Sequence, residues 1–202
     1  MKVEHSPERS YRMRARAASV QGTRERILAA ADDLFMEQWM DEVSLRDIAA
    51  RAGVALQTVV RHFGTREGLL EAIADQLRGP AERLRFAAPV GDIPAAVSML
   101  VSLYEDRAPR MLRTLAQEDR IPALRPLIQR ARDTHHQWIA EVFAPMLPAR
   151  DPARSRRTVE LAAVTDVYMW KVLRQDHGLS PEATEAALVE MIGAICRQED
   201  QR

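Results

Sequence analysis

The sequence predicts an all-α protein, and three observations carry that prediction. Hydrophobic residues make up 47% of the chain, glycine occurs only 8 times and β-branched runs are few, a composition that favours helices over strands. Apolar residues recur at i, i+3, i+4 and i+7 in one segment after another, with no strand pair or internal repeat between them. Helix-start chemistry also recurs. Asp92 with Pro94, Asp151-Pro152 and Ser180-Pro181 each place a capping side chain just ahead of a proline in the first turn.

The chain has 202 residues, enough for one domain or two small ones with a substantial core. Its formal net charge of zero argues at first against a nucleic-acid partner. A whole-chain sum hides asymmetry, however, and only a local basic surface is needed. The lone Cys196 cannot form an internal disulfide. No leader pattern is visible, and no apolar run approaches the roughly 18 residues of a membrane span. A soluble, cytoplasmic protein with no membrane partner is therefore expected.

Residues 1–20 carry Lys2, Arg9, Arg12, Arg14 and Arg16 against Glu4 and Glu8 and show no stripe that could bury a face. They are expected to form a flexible basic arm, either simply solvated or adding contacts to DNA. Thr23 to about Gln38 is the first long helix, with Ile27, Leu28, Ala31, Leu34 and Phe35 as its core stripe. Ser44, with Asp47 three residues on, reads as an N-cap with an acidic partner. Leu45, Ile48 and Ala49 then give a short helix one apolar face. Gly53, which can take φ > 0 without a Cβ clash, breaks it. A second short helix from about Ala55 to His62 faces inward with Val59 and Phe63. Two short helices joined by a glycine turn make a helix-turn-helix, whose second helix enters the DNA major groove. Thr65 caps the following helix, which runs to about Leu77 or beyond, with Gly79-Pro80 as a break.

The pieces RERILAAADDLF, SLRDIAARAGV, TVVRHF and TREGLL, spanning Thr23 to Leu70 without a gap, together resemble the DNA-binding domain of TetR (tetracycline-repressor) type transcriptional regulators. The family usually ends its first helix with glycine where this chain has Trp39, so the turn at 38–41 is expected to be built differently. On the second short helix, Gln57, Thr58 and Arg61 point away from the core. Gln offers the bidentate pattern that matches adenine N6/N7, and Arg the one that matches guanine O6/N7. The resemblance implies phosphate contacts by Ser44, His62 and Arg66, and a base contact by Arg46. Val60 replaces a common tyrosine and offers an apolar contact to a thymine methyl instead. The partner so implied is double-stranded DNA, read as a pseudopalindromic operator by a homodimer. The resemblance also implies that the helix after the head carries the signal to the body.

Three regions result: the arm (1–20), a helix-turn-helix domain (21–80) and a helical effector-binding and dimerisation domain (81–202). In the last, helices are expected from Asp92 to about Asp106, from Pro109 to near Glu118, and, introduced by Ile121-Pro122 with Pro126, a long one to about Phe143. One of some twenty-five residues follows from Asp151 to Gly178, and a last one runs from Ser180 to about Arg197. The final two helices carry more apolar residues than one buried face needs. That surplus suits a two-fold four-helix interface, in which Leu161, Thr165, Ala187, Met191 and Ala194 are the candidates. Tyr104, Met111, His135, Trp138 and Tyr168 are scattered through the body as ordinary core or as the lining of a small-molecule effector site. The resemblance favours the second and implies a repressor released by ligand. No cofactor is expected.

Two rival readings are an effector-independent DNA-binding dimer controlled by a protein partner, and a helical metal-dependent enzyme. The second would use Asp133 and His136, three apart on one helix, with His135 adjacent. No HExxH, CxxC, P-loop or nucleophile-elbow pattern is present to support catalysis.

Overall fold

The computed structural model describes Pro7 to Arg197, with side chains from Arg16 onward. Every regular element among the described residues is helical: α1 (Pro7–Glu37), α2 (Leu45–Arg51), α3 (Leu56–Phe63), α4 (Arg66–Arg85), α5 (Ile93–Leu115), α6 (Leu124–Val142), α7 (Ala153–Val164), α8 (Val167–Lys171) and α9 (Pro181–Arg197). A 3₁₀ turn (Ala144–Met146) follows α6, and a π turn (Val172–Asp176) extends α8. The chain divides into two compact units at Ala74/Asp75, within α4, a few residues before the boundary expected from the sequence.

In the first unit, Ile27, Leu28, Ala31, Leu34 and Phe35 of α1 are buried together with Ile48, Ala49, Val59, Leu69 and Leu70. The two short helices α2 and α3 and the start of α4 thus share one core with α1. α1 corrects the expectation of a flexible arm, because its backbone is helical from Pro7. Arg, Ala, Met and Glu are strong helix formers, and propensity favours a helix there. Residues 1–6 of the expected arm lie outside the described residues. After α1, Trp39 lies exposed while Met40 turns inward, and no non-glycine residue among those described has positive φ. The turn is therefore made without the left-handed cap that glycine provides.

In the second unit, Val97, Leu100, Val101 and Tyr104 of α5 pack with Trp138, Ile139 and Val142 of α6, Leu161 and Val164 of α7, and Leu188 and Ile192 of α9. Asp92 caps α5 by accepting from the Ala95 amide at 3.0 Å. Two prolines expected to break or start helices do neither. α4 continues through Pro80 and α5 through Pro109. Arg107 Nη1 donates to the Leu77 carbonyl at 2.6 Å, beside the Gln76 carbonyl that Pro80 deprives of its helical donor. Buried Ala108 holds α5 in the core at its proline. The expected twenty-five-residue helix is instead divided at Thr165–Asp166, where Asp166 accepts from the Tyr168 amide at 2.9 Å and starts α8.

Candidate nucleic-acid interface and the buried body cluster

The head's outward surface follows from how its short helices are capped. Ser44 accepts from the Asp47 amide at 3.2 Å, and the Asp47 carboxylate in turn accepts from the Ser44 amide at 2.9 Å and its hydroxyl at 2.5 Å. These bonds hold the Asp47 carboxyl below its usual range, the Ser44 hydroxyl contributing most. The expected Ser44 cap is present as a full capping box. It also spends the Ser44 hydroxyl proton on Asp47, so in the free chain Ser44 serves as a cap with no donor left for a phosphate. Gly53, at φ 64°, lets the chain turn after α2, and the Val54 amide closes that turn on the Ala49 carbonyl at 3.0 Å.

α3 then projects its side chains by phase. Successive residues advance by about 100°, so Leu56, Val59 and Phe63 share one side and Gln57, Thr58 and Arg61 the opposite one. Val59 is completely buried, whereas Gln57 and Arg61 are exposed and Thr58 is half-buried. Val60 is 38% exposed on the flank, and His62 lies half-buried on the other flank beside the Phe63 ring. Arg24 covers the Phe63 ring at 4.7 Å and closes the core behind α3. Arg46 is exposed on α2. Neither Arg46 nor Arg61 is held in an ion pair among the described residues, whereas Arg51 is tied to Glu37 by two bonds of 3.0 and 2.7 Å. The head therefore leaves Arg46 and Arg61 free on its outward side. Arg66 is half-buried and donates to the Asp41 carbonyl at 3.3 Å, so in the free chain it braces the loop before α2.

In the body, three of the five expected effector residues come together. Tyr104, His135 and Trp138 are buried around Arg85, which is only 8% exposed. Arg85 Nη2 donates to the Tyr104 hydroxyl at 3.3 Å, and Nη1 lies 3.5 Å from His135 Nδ1. Tyr104 donates to the Thr165 carbonyl at 2.8 Å, His135 Nε2 lies 3.0 Å from the Thr165 hydroxyl, and that hydroxyl donates to the Leu161 carbonyl at 2.6 Å. Trp138 stacks on His135 with ring centres 5.5 Å apart, and its Nε1 donates to the Arg85 carbonyl at 3.0 Å. With Arg85 donating to Nδ1 and Thr165's proton already given to Leu161, the imidazole proton belongs on Nε2. Burial, reinforced by the Arg85 charge, pushes His135 down to about 3. Burial likewise raises the Tyr104 hydroxyl to about 12. Both rings are neutral at physiological pH.

The remaining body assignments divide. Met111 packs half-buried against the hydrophobic core, with no polar bond to the cluster. Tyr168 is corrected: it is 51% exposed, because Asp166 restarts the helix so that Val167 and Trp170 turn inward. Leu161 and Thr165 are also corrected as interface residues. They are 0% and 1% exposed within their own chain, which leaves no surface for a partner. Ala187 is half-buried and Ala194 exposed, both turned away from buried Leu188 and Ile192, while half-buried Met191 packs at the edge of the core beside them. Among the described residues, no group of three or more His, Cys, Asp or Glu is placed to hold a metal ion. No helix among them is long and apolar enough to cross a membrane. Arg85 carries no local sequence signal of burial: it lies at the end of α4, beside exposed Leu84.

An all-helical chain with a capped helix-turn-helix head is of the class of helix-turn-helix proteins. Residues 27–73 match the family model described as bacterial regulatory proteins, tetR family. The HTH-type transcriptional repressor Rv3405c of Mycobacterium tuberculosis is 45% identical over 67 residues, 33% of this chain and 36% of that protein. The chain thus matches only about a third of that relative's length. The HTH-type transcriptional repressor BepR of Brucella suis is 25% identical over 190 residues, 92% of this chain and 84% of the relative. A transcriptional regulator from Rhodococcus sp. Rha1 of known crystal structure superposes with a TM-score of 0.62 at 26% identity, over 85% of this chain and 95% of that one. The family match thus falls on the helix-turn-helix head, residues 27–73, and the body is similar in fold to that regulator.

Proposed function

We propose that this chain is a DNA-binding transcriptional repressor that works as a homodimer on a pseudopalindromic operator and is released by a small molecule. The observation that carries the reading is the outward face of α3, where Gln57, Thr58 and Arg61 stand opposite completely buried Val59. A rigidly seated helix offering an amide and a guanidinium on its free side has the donors and acceptors that major-groove base edges demand. Arg46 adds charge from α2. Phosphate contacts by His62 and Arg66 require Arg66 to exchange its bond to Asp41 for one to DNA, and a contact by Ser44 requires its hydroxyl to turn from Asp47.

Dimerisation is assigned to α9, where Ala187, Met191 and Ala194 share a stripe whose inner edge, Met191, also touches the core. Release follows as a population shift. A ligand that prefers a body arrangement in which the two heads are wrongly spaced opposes DNA binding by its coupling free energy. The buried polar cluster favours this over control by a protein partner, since Tyr104, His135 and Trp138 face inward, where a protein surface does not reach. Selecting bound sequences from a random duplex pool tests the reading. The expected product is a palindrome whose half-sites lie about one helical turn apart, roughly 34–36 Å. Recovery of no enriched sequence at low salt would overturn it.

A further inference from the structure

Arg85 stands apart among the arginines of the body. Arg174 is held by Glu105 at 2.6 and 2.9 Å, and Arg132 by Glu118 at 2.7 and 2.7 Å. Both of those lie nearer the surface than Arg85. Arg85 is nine-tenths buried, yet among the described residues no carboxylate pairs with it. Its two bonded nitrogens reach only neutral acceptors, Tyr104 and His135, at the long end of hydrogen-bond range. Its Nε is buried with no partner at all. A guanidinium has five donors and always carries its charge, and burying such a cation without a counter-ion is strongly unfavourable. The missing element is an anion.

The surroundings define that anion. Arg85 is the only cation in the hydrogen-bonded cluster, so a monoanion balances it where a dianionic phosphate would not. A planar fork of N–H groups matches the two oxygens of a carboxylate. The Tyr104 hydroxyl and the His135 ring, both neutral, can release Arg85 and each keep a bond to Thr165. Trp138 stacked on His135, and Trp170 near the Tyr104 ring at 6.4 Å, supply aromatic walls. Resting on the reading of this chain as a ligand-released regulator, we infer that Arg85 anchors the carboxylate of a small monoanionic effector whose apolar or aromatic body packs among Tyr104, His135 and Trp138. Arg85 is the last residue of α4, whose first turn lies in the head unit. An anion drawing on Arg85 therefore acts on the helix that belongs to both units.

The test uses the full chain, with benzoate and octanoate as probes, benzamide and octanamide as neutral isosteres, and inorganic phosphate as the dianion. Binding is followed by Trp fluorescence and calorimetry. At least one carboxylate should saturate, with its amide and phosphate at least tenfold weaker. Arg85→Gln should bring the carboxylate-to-amide ratio to about one, and Arg85→Lys should restore part of it. Independently of any probe, Arg85→Met removes the uncompensated charge at similar volume, so its Tm should equal or exceed that of the native chain. A clearly lowered Tm for Arg85→Met would make Arg85 a structural brace and overturn the inference. So would amides binding as well as carboxylates, or no carboxylate binding at all. A chain that binds its operator and is released only by neutral or cationic compounds would sink the anion while leaving the regulator standing. A chain that binds carboxylates through Arg85 but never binds DNA would do the reverse.

Discussion

Substituting His135 by glutamine gives a quantitative handle on the buried cluster, because the change should show itself in pH dependence rather than in a fixed loss. The ring is buried against Arg85, which faces its Nδ1, and its Nε2 proton points to Thr165. Protonation would add a hydrogen to Nδ1 directly against a guanidinium, so the folded chain resists it, and its pKa lies at about 3 against an ordinary 6.5. The unfolded chain takes up that proton near 6.5. Above that pH both states are neutral and the folded state keeps its full advantage. As pH falls from about 6.5 toward 3, the unfolded state binds more protons and stability is lost at up to about 1.4 kcal/mol per unit. At pH 5 the loss from this one residue amounts to about 2 kcal/mol.

His135→Gln keeps a polar group near Thr165 but cannot titrate, so that portion of the acid slope should vanish. Urea unfolding at pH 8 and at pH 5, at one fixed protein concentration, gives four stabilities. The variant carries its own constant loss, which cancels when the two pH values are compared. Other groups contribute acid sensitivity to both proteins alike. Glu105 and Glu118 are held below their usual range by bonds from Arg174 and Arg132, and the comparison removes them too. The native chain should lose about 2 kcal/mol more than the variant between the two pH values. Equal losses would refute the burial of a neutral imidazole against Arg85, and with it the picture of Arg85 facing only neutral partners.

Alanine at Gln57 or Arg61 should weaken binding to the selected operator by roughly 1–3 kcal/mol and leave unrelated duplex nearly unchanged; equal losses on both in fluorescence anisotropy would remove these two as base readers. Arg66→Ala should lower the salt slope of DNA binding by about one, and an unaltered slope would confine Arg66 to bracing the Asp41 loop. Ser44→Ala removes the α2 capping box and should lower urea stability by roughly 0.5–2 kcal/mol, with no loss marking the cap as redundant. Met191→Asp places a carboxylate on the assigned α9 interface. It should sediment as a helical monomer with lost operator affinity, and a retained dimer would move the interface elsewhere.

The head was legible because its signals are local. Ser44 with Asp47 fixes where α2 begins, Gly53 fixes where it ends, and one buried Val59 sets the phase that turns Gln57 and Arg61 outward. Each signal spans four residues or fewer, so no knowledge of the rest of the chain was needed. In the body the decisive contacts are long-range. Pro109 carries the usual mark of a helix start, and only the packing of Ala108 in the core shows that α5 runs through it. Asp166 has the opposite character: it lies within an unbroken apolar periodicity, without glycine or proline nearby, and still starts a new helix by capping the Tyr168 amide. That single restart explains two assignments at once. It turns Tyr168 to the surface and leaves Thr165 inside, where its hydroxyl and carbonyl join the cluster instead of an interface.

Arg85 escaped for a more general reason. Arginine is taken as a surface residue because a buried one is rare and unfavourable, and a whole-chain charge of zero conceals one misplaced cation. Propensity, periodicity and capping all describe how a chain lowers its own free energy, so a residue that raises it is invisible to them. A folded chain retains such a residue when something outside it supplies the compensation. Local rules therefore fail at Arg85 because its missing partner is not part of the chain, and this makes the failure itself the pointer to the ligand.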